Sequence, residues 1–409
     1  MDEAERERSP WQKNLHVLWF CTFVAGMAFS EIMPFLSLYI SSLGDYTKAQ
    51  VTMYSGLVYA ADFFVSAIAS PLWGILADRK GRKIMLLRSS LGMGISLALM
   101  GFATSVWQMV ALRALQGVFA GYISNAQALV ASQTPRKHSG AALSTLMTGP
   151  TSGMLLGPVV GGVLAQVFTI RLTFFITGFL LLITFFMSWG MVQEKFKPVA
   201  PKPKEQRSLN PLAAFPKPKL ILVLLSSTLI VQFGNISISP IISLYVKELM
   251  HNVGPITVVA GIIAALPGIS NIIASPRLGR YGDQHGSGRV LLFGYIFATL
   301  MYLPQGFVTS VWMLGLLRFM IGISDGALYP EIQTLLTKNT PVELTSTVFS
   351  WNQSFQAVGN MLGSLIGGWI AGVFNYNAVF ISTAALMLIN LALVWWLVPE
   401  IRQRKTQTA

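Results

Sequence analysis

The second half of this chain repeats the first half at a displacement of about 205 residues. The pattern Ser-Pro-x-x-Gly-x-x-x-Asp-x-x-Gly at positions 70–81 returns at positions 275–286. Leu112-Arg113 returns as Leu317-Arg318, and a glycine series at 153–162 returns at 359–368. A single displacement kept along half a chain predicts two copies of one structural unit that run in the same direction.

The composition indicates a membrane protein. Hydrophobic residues make up 53% of the chain, charged residues only 11%, and the mean hydropathy is +0.59. A helix needs roughly 20 apolar residues to cross a bilayer. Such stretches lie at about 14–41, 52–77, 84–104, 107–132, 140–167, 173–192, 220–246, 257–279, 289–308, 312–337, 345–373 and 377–398. The sequence therefore predicts an all-α membrane protein with twelve transmembrane helices, arranged as two six-helix bundles related by a pseudo-two-fold repeat. Repeated units of this kind are typical of secondary transporters, whose site lies between the halves.

The predicted domains are an N-terminal bundle at 1–192, a linker at 193–219 and a C-terminal bundle at 220–409. The linker contains several prolines and basic residues in runs such as Lys-Pro-Val-Ala-Pro-Lys-Pro-Lys at 197–204. A segment this polar and Pro-rich does not form a packed domain. We expect it to be an extended connection on the cytoplasmic side.

The positive charges indicate the orientation of the chain. Most of the 29 Lys and Arg residues fall on one side of the twelve-span arrangement, in the tails, the linker and the loops after alternate spans. By the positive-inside rule this side, with both termini, is cytoplasmic, and a bacterial inner membrane is the expected location. The net charge of +13 then reflects topology and contact with anionic membrane lipids. A nucleic-acid partner is not expected, because no basic patch lies on a soluble fold.

Cysteine and histidine usage argues against an enzyme. Cys21 is the single cysteine, so no disulfide or thiolate metal cluster is expected. The four histidines are scattered over span ends and loops without the spacing of a metal site. We expect no catalytic residues, no metal and no cofactor.

Three segments resemble known family signatures. Gly74-Ile-Leu-Ala-Asp78-Arg79-Lys-Gly81-Arg82-Lys resembles the loop 2 to 3 signature of the major facilitator superfamily. Leu112-Arg113-Ala-Leu-Gln-Gly resembles its fourth-helix signature, and Gly153-x-x-x-Gly157-Pro158-x-x-Gly161-Gly162 resembles the fifth-helix signature of drug:proton antiporters. Asp325-Gly-Ala-Leu-Tyr-Pro and Ser-x-Asn352-Gln-Ser are further similar to the bacterial MdtG-like multidrug efflux branch. The resemblance covers nearly the whole chain and implies export rather than uptake.

The first signature implies a conformational latch formed by Gly74, Asp78, Arg79, Gly81 and Arg82, which would stabilise the outward-open state. Glycines permit a tight turn, and Asp78 can pair with basic side chains or face the positive end of a helix. The alternative is a solvated basic loop that only fixes topology. This alternative explains the Lys and Arg residues but not the acid between glycines.

The glycines at 153–162 form a flat stripe on one helix face. Gly153, Gly157, Gly161 and Gly162 are spaced to lie together, and small residues let membrane helices approach closely. Pro158 is expected to bend this helix unless neighbours satisfy the freed carbonyl group. The stripe is either plain tight packing or an interface that seals against leak during the transport cycle.

Charged residues inside the apolar spans are the strongest functional signal. A bare charge there costs roughly 2.5 kcal/mol or more. Glu31, Asp62 and Arg113 lie at a similar depth, about 10 to 15 Å from one membrane surface at 1.5 Å per residue. Together with Asp325 they are the predicted proton-coupling residues, because protonation of such acids responds to hydration and to a charged partner. The alternative is a static ion pair that holds the N-terminal bundle together.

A pocket for varied drugs needs apolar and aromatic walls with few fixed polar groups. The predicted lining residues are Phe35, Tyr39, Phe63, Tyr122, Asn125, Gln232, Tyr245, Tyr329, Glu331, Asn352 and Phe355. The alternative for each of them is ordinary packing.

These observations predict a monomeric exporter of lipophilic cationic or neutral small molecules. It would exchange them for protons by rocking two bundles around a central cavity. The alternative within transport is an exporter of one metabolite or lipid, which the sequence does not separate from a drug exporter.

Overall fold

A computed structural model describes residues 10–135, 138–194, 215–341 and 344–397 of the chain. Within these ranges the regular structure is helical, without strands. In the first half the helices are α1 (Pro10–Glu31), α2 (Leu36–Ser41), α3 (Lys48–Lys80), α4 (Arg82–Met100), α5 (Val106–Phe119), α6 (Tyr122–Gln133), α7 (Ser139–Val167) and α8 (Ile170–Met191). In the second half they are α9 (Pro218–Ile238), α10 (Ile242–Leu249), α11 (Ile256–His285), α12 (Ser287–Gln305), α13 (Val311–Lys338), α14 (Thr345–Val373) and α15 (Tyr376–Leu397).

Ten spans in the described part are long and apolar enough to cross a membrane. Two of the twelve predicted spans are outside this set, for different reasons. The fourth span, 107–132, is divided into the two shorter helices α5 and α6. The eleventh, α14, has 29 residues but carries a series of amide side chains, including Asn352, Gln353 and Gln356, which lowers its hydropathy.

The first and seventh predicted spans are interrupted at equivalent places in the repeat. Helix α1 ends at Glu31, and a short 3-10 turn at Met33–Phe35 precedes α2. Helix α9 ends at Ile238, and α10 begins at Ile242. A proline, Pro34 or Pro240, lies in each gap. Proline has no backbone N–H and its ring crowds the preceding turn, which accounts for both interruptions.

The break between α5 and α6 is present in only one copy of the repeat. Gly121 has a φ of +109°, a conformation open chiefly to glycine. The Arg88 side chain donates to the carbonyl oxygens of Val118 and Ala120, both at 2.8 Å, and the Ser89 hydroxyl donates to that of Phe119 at 2.6 Å. These bonds satisfy the carbonyl groups left free where α5 ends.

The repeat explains why α13 is continuous where α5 and α6 are divided. Gly326, the repeat equivalent of Gly121, lies inside α13. Phe293 and Gly294 stand where the first copy has Arg88 and Ser89. Neither side chain in the second copy can cap a free carbonyl group.

The chain divides into two compact units. The first contains residues 1–44 and 61–201, and the second contains residues 45–60 and 202–409. Residues 45–60, predicted with the N-terminal bundle, therefore cluster with the second unit. Most of the predicted linker lies outside the described residues. Its first residues, Gln193 and Glu194, are described and bound to first-unit helices, since Asn14 donates to the Gln193 carbonyl at 2.6 Å.

Packing in the first unit centres on α1 against α7. A Cβ built on Gly153 would collide with the carbonyl oxygen of Phe23, and one on Gly157 would lie 2.8 Å from that of Met27. The absence of side chains lets the two backbones touch. The glycine stripe predicted from the sequence is thus a helix contact.

The second unit repeats this contact between α9 and α14. Gly359 lies against Leu229, and Gly363 lies against Phe233. Each partner is 206 residues beyond its first-unit equivalent, so the internal repeat of the sequence is also a repeat of packing.

The start of α3 belongs to the second unit through its contacts with α14. A Cβ on Gly372 would lie 3.0 Å from the carbonyl oxygen of Ala49. The Lys48 Nζ atom lies 2.6 Å from Glu248 Oε2 and 4.1 Å from the centre of the Tyr376 ring. A close backbone approach and an exposed ion pair hold residues 48–60 in place.

Candidate functional site

Glu31 is a buried carboxylate without a partner. It is fully buried at the end of α1, and neither carboxylate oxygen has a hydrogen-bond partner in the described part of the chain. The Thr177 side chain lies beside it, but its hydroxyl donates to the Thr173 carbonyl at 2.8 Å. A charge in this position is costly, and acids buried in membrane helices usually mark functional sites.

The second unit has equivalent residues around this position but lacks the acid. Ser237 takes the place of Glu31 and lies against Gly367, as Glu31 lies against Gly161. The Ser237 hydroxyl donates to the Gly234 carbonyl at 2.9 Å and lies 3.2 Å from that of Thr383, the equivalent of Thr177. The serine hydroxyl therefore has hydrogen-bond partners, whereas the Glu31 carboxylate has none among the described residues. The acid is a feature of the first copy alone.

Asp62 and Arg113 form a buried pair in the same unit. The Arg113 Nη1 atom lies 3.7 Å from Asp62 Oδ2 and donates to Gln116 Oε1 at 3.1 Å. The Asp62 backbone also packs against Gly117. The structure therefore brings together two of the three residues predicted at one depth. Neither carboxylate oxygen of Glu31 has a hydrogen bond to Arg113 or to another described residue.

Asp325 belongs to a polar cluster in the second unit. Asn235 donates to Asp325 Oδ1 at 3.0 Å and lies 3.0 Å from the Tyr329 hydroxyl. Tyr329 donates to Gln232 at 3.1 Å, and Tyr302 donates to Asn235 at 2.8 Å. The structure joins the predicted residues Gln232, Tyr329 and Asp325. Asn235 and Tyr302 were missed, although an asparagine inside an apolar span is a signal that the sequence contained.

Four predicted lining residues are packed into the units. Tyr39 donates to the carbonyl oxygens of Met100 and Ala103, both at 3.1 Å. Tyr245 occupies the equivalent place in the repeat and donates to those of Gln305 and Val308. Phe35 is buried, and the buried Tyr122 hydroxyl lies 2.7 Å from Ser188. These contacts favour the packing alternative for these four side chains.

The other predicted lining residues vary in exposure. Asn352 is buried and accepts a hydrogen bond from Thr228 at 2.7 Å. Phe63, Asn125 and Phe355 are partly exposed, and Asn125 donates to the Gly121 carbonyl at 2.8 Å. Glu331 is buried against Gly282 near the end of α11, with Oε2 unpartnered among the described residues. The structure does not bring Glu331 into the Asp325 cluster.

The predicted latch lies at the turn between α3 and α4. Gly81 has a φ of +96°, which accounts for the glycine there. Gly74 has open space around it and Arg79 is exposed. The Asp78 side chain lies outside the described part of the chain, so its predicted role remains a prediction.

Glu194 occupies the start of α4 and was missed from the sequence. Its carboxylate accepts the backbone N–H groups of Arg82 and Lys83 at 2.9 and 2.8 Å. Acids are favoured at helix N-termini because the first N–H groups have no partner in the helix. The sequence signal for this role was a single acidic residue at the edge of a basic linker.

No cluster of His, Cys, Asp or Glu in the described ranges is arranged to hold a metal ion. The buried charged groups in the described parts of the two units are carboxylates and guanidinium groups. Their common feature is depth inside apolar helices, the setting of ion and substrate pathways in membrane proteins.

Comparison with known proteins gives consistent relatives over the whole chain. A family model described as the Major Facilitator Superfamily matches residues 18–259 and 224–409. Multidrug resistance protein MdtG of Enterobacter lignolyticus is 47% identical over 93% of this chain and 91% of its own length. Multidrug resistance protein MdtG of Escherichia fergusonii is 46% identical over 94% of each chain.

Solved structures share the fold at low sequence identity. A bacterial homolog to the human lysosomal transporter Spinster, in an inward-facing and occupied conformation, has a TM-score of 0.78 at 14% identity, covering 96% of this chain and 98% of its own. A POT family transporter in complex with 5-aminolevulinic acid has a TM-score of 0.75 at 14% identity, covering 95% and 96%.

Proposed function

The chain belongs to the Major Facilitator Superfamily, and on this premise we propose that it exports varied lipophilic cationic or neutral compounds in exchange for protons. It is a multi-pass membrane protein, and a transporter rather than an enzyme. The proposed location is a bacterial inner membrane with both termini in the cytoplasm. The names of the two MdtG relatives support the multidrug substrate range.

One observation carries the proton coupling: Glu31 is buried with both carboxylate oxygens unpartnered. A carboxylate held by an arginine keeps its charge, whereas an unpartnered one changes charge when hydration changes. Asp62 has Arg113 as a neighbour. Glu31 is therefore the proposed proton carrier, and Asp62 with Arg113 adjusts its protonation. Asp325 is the second proposed proton-coupling residue.

The proposed cycle is alternating access, in which the binding site opens to one side of the membrane at a time. Glu31 would release its proton on one side as a substrate binds and regain one on the other. A cationic compound also gains from the carboxylate charge that deprotonation leaves. The substrate-facing residues in this proposal are the partly exposed ones, Phe63, Asn125, Gln232, Tyr329 and Phe355. We propose that the protein works as a monomer among membrane lipids.

The test uses purified protein in liposomes with an imposed pH gradient. We expect Glu31→Gln to abolish uphill efflux of a cationic dye while downhill flux of the same dye persists, because a fixed neutral side chain cannot exchange a proton. Proton movement and dye movement are recorded together. Asp45→Asn removes an exposed acid and serves as the matched control with efflux retained.

A full pH-driven gradient in the Glu31→Gln protein would remove Glu31 as the proton carrier. The alternative exporter of one metabolite or lipid predicts a different result with the native protein. In that case, efflux would be confined to one compound within a chemically varied panel.

A further inference from the structure

Arg318 is a buried arginine, and two of its three guanidinium nitrogens lack a hydrogen-bond partner in the described part of the chain. It lies on α13 and is 8% exposed. Its Nε and Nη1 groups have no partner among the described residues. A guanidinium group has five N–H donors and no acceptor. Leaving these donors unmet in an apolar interior is costly, so a site of this kind requires an acceptor.

The internal repeat shows how Arg318 came to lack partners. Its first-unit equivalent, Arg113, has Asp62 at 3.7 Å and Gln116 at 3.1 Å. Pro267 stands at the repeat position of Asp62, and Ile321 stands at that of Gln116. The arginine is thus present in both copies, while two of the polar side chains that Arg113 contacts are replaced by apolar residues in the second.

The surroundings of Arg318 are polar and include an acidic side chain, but they leave two of its nitrogens without a hydrogen bond. Asp325 and Tyr302 are its electrostatic neighbours. The described residues show no ion pair or hydrogen bond between Arg318 and either of them. Asp325 accepts from Asn235, and Tyr302 donates to Asn235. Both neighbours therefore form their hydrogen bonds with the Asn235 amide and not with Arg318.

The cluster beside Arg318 is open on one side. Gln232, Asn235 and Tyr329 are partly exposed, whereas Arg318, Asp325 and Tyr302 are buried. The partly exposed Asn235 is hydrogen-bonded to the buried Asp325 and Tyr302. The exposed members supply amide and hydroxyl groups, and the buried arginine supplies unmet donors.

We infer that the second unit holds an acceptor-binding subsite at Arg318 for a carboxylate or a similar acidic oxygen group on a transported compound. The inference rests on the proposed function, because it describes the substrate of the same transporter. It extends the proposed cationic and neutral substrates to compounds that join an apolar body to an acidic group. The planar guanidinium would bind two acceptor oxygens side by side.

A matched pair of fluorescent probes tests the subsite. Dansylglycine has an apolar ring system and a carboxylate, and its methyl ester has the same ring system without the charge. Equilibrium binding of both is measured with full-length detergent-purified protein. For Arg318→Gln we expect roughly tenfold or greater loss of affinity for the acid and little change for the ester, since hydrogen bonds to charged groups are worth about 1.5–3 kcal/mol.

Ile321→Gln provides a second variant that keeps the arginine. It restores the residue that holds Arg113 in the first unit, at the same spacing of three residues. An amide at 321 would occupy the donors of Arg318, so affinity for the acid is expected to fall several-fold while affinity for the ester stays. This variant decides the question if Arg318→Gln does not yield folded protein.

Equal losses for the acid and the ester, or no loss for the acid in either variant, would overturn the subsite. The readout is binding without a pH gradient, so it is independent of proton coupling. If dye efflux fails but acid affinity depends on Arg318, the subsite stands and the transport proposal falls. If efflux works and the affinity for the acid does not depend on Arg318, the transport proposal stands and the subsite falls.

Discussion

At the scale of single residues, the two buried acids of the first unit have opposite electrostatic surroundings. Asp62 lies 3.7 Å from Arg113, whereas Glu31 has no polar partner in the described chain. Removing one member of a buried ion pair leaves an uncompensated charge, which destabilises a protein by about 3–5 kcal/mol. Loss of an unpartnered acid has no such cost. Stability and coupling are therefore separable in this unit.

A double-mutant cycle tests the role of the pair. We expect Asp62→Asn to lower the thermal unfolding midpoint because Arg113 is left without its counter-charge. The combined variant Asp62→Asn with Arg113→Gln should recover part of that loss. Glu31→Gln, measured alongside by the same fluorescence-monitored unfolding, should leave the midpoint unchanged or raise it. Additive losses in the double variant would mean that the two residues do not stabilise one another.

The sequence predicts a shared depth for three charged residues and leaves open which of them are paired. Counting at 1.5 Å per residue places Glu31, Asp62 and Arg113 at one level. Which neighbour a side chain faces depends on the rotation of its helix, and α1 ends at Glu31 where counting expected it to continue. Arg318 stands out in the sequence as the repeat equivalent of Arg113. That two of its nitrogens lack hydrogen-bond partners is seen only in the structure, by comparison with the contacts of Arg113.

At the scale of elements, the helices are specified by contacts between backbones. The α1 and α7 contact in the first unit and the α9 and α14 contact in the second both rely on glycines at equivalent repeat positions. These contacts leave no room for even one methyl group. A substitution there changes the distance between two helices, because the colliding atoms belong to the backbone.

Gly157→Ala tests this contact with a small change. The added Cβ would lie 2.8 Å from the Met27 carbonyl oxygen and 3.0 Å from the Glu31 nitrogen. We expect the variant to lose about 1–3 kcal/mol of stability and most of its efflux, since α1 carries Glu31. Gly140→Ala is the control on the same helix, because nothing lies within 4 Å of its added Cβ.

The outcome is read from unfolding midpoints and from dye efflux in liposomes. Gly140→Ala should match the native protein in both. If Gly157→Ala did the same, α1 and α7 would not be in contact in the working protein.

Breaks within helices were the least predictable feature at this scale. The interruptions near Pro34 and Pro240 have a visible cause in the sequence. The break at Gly121 does not, because Gly326 at the equivalent position lies within a continuous helix. The difference depends on Arg88 and Ser89, which are distant in sequence and cap the free carbonyl groups. Such tertiary partners cannot be inferred from the local helix propensity of the sequence.

At the scale of the whole molecule, the predicted major facilitator fold is confirmed by the family model and by solved structures that share it. That prediction rested on the repeat and on the spacing of the apolar stretches, because both can be read directly from the sequence. The assignment of α3 to the two units could not be predicted in this way. Its first residues, 48–60, cluster with the second unit, while residues 61–80 cluster with the first. A boundary inside a helix has no signature in composition.

A reversible cross-link tests what this division of α3 means for transport. Cys21 is the single cysteine, so a Cys21→Ala protein accepts a new pair, Met53→Cys with Gly372→Cys. A Cβ at Gly372 would lie 3.2 Å from the Met53 Cγ atom, close enough for a disulfide. If alternating access requires residues 48–60 to leave α14, oxidation should stop pH-driven dye efflux and reduction should restore it.

The control joins two elements that the proposed cycle keeps together. Gly306→Cys with Ile381→Cys places the new Cβ 2.9 Å from a side-chain atom of Ile381. Both residues belong to parts of the chain that lie wholly in the second unit, whereas α3 is divided between the two units. This cross-link should leave efflux intact, which separates the effect of oxidation itself from the effect of holding α3. Continued efflux with the α3 pair fully oxidised would mean that residues 48–60 stay on α14 throughout the cycle. The moving boundary would then lie farther along α3, near Ala60 and Ala61, where the two units divide the helix.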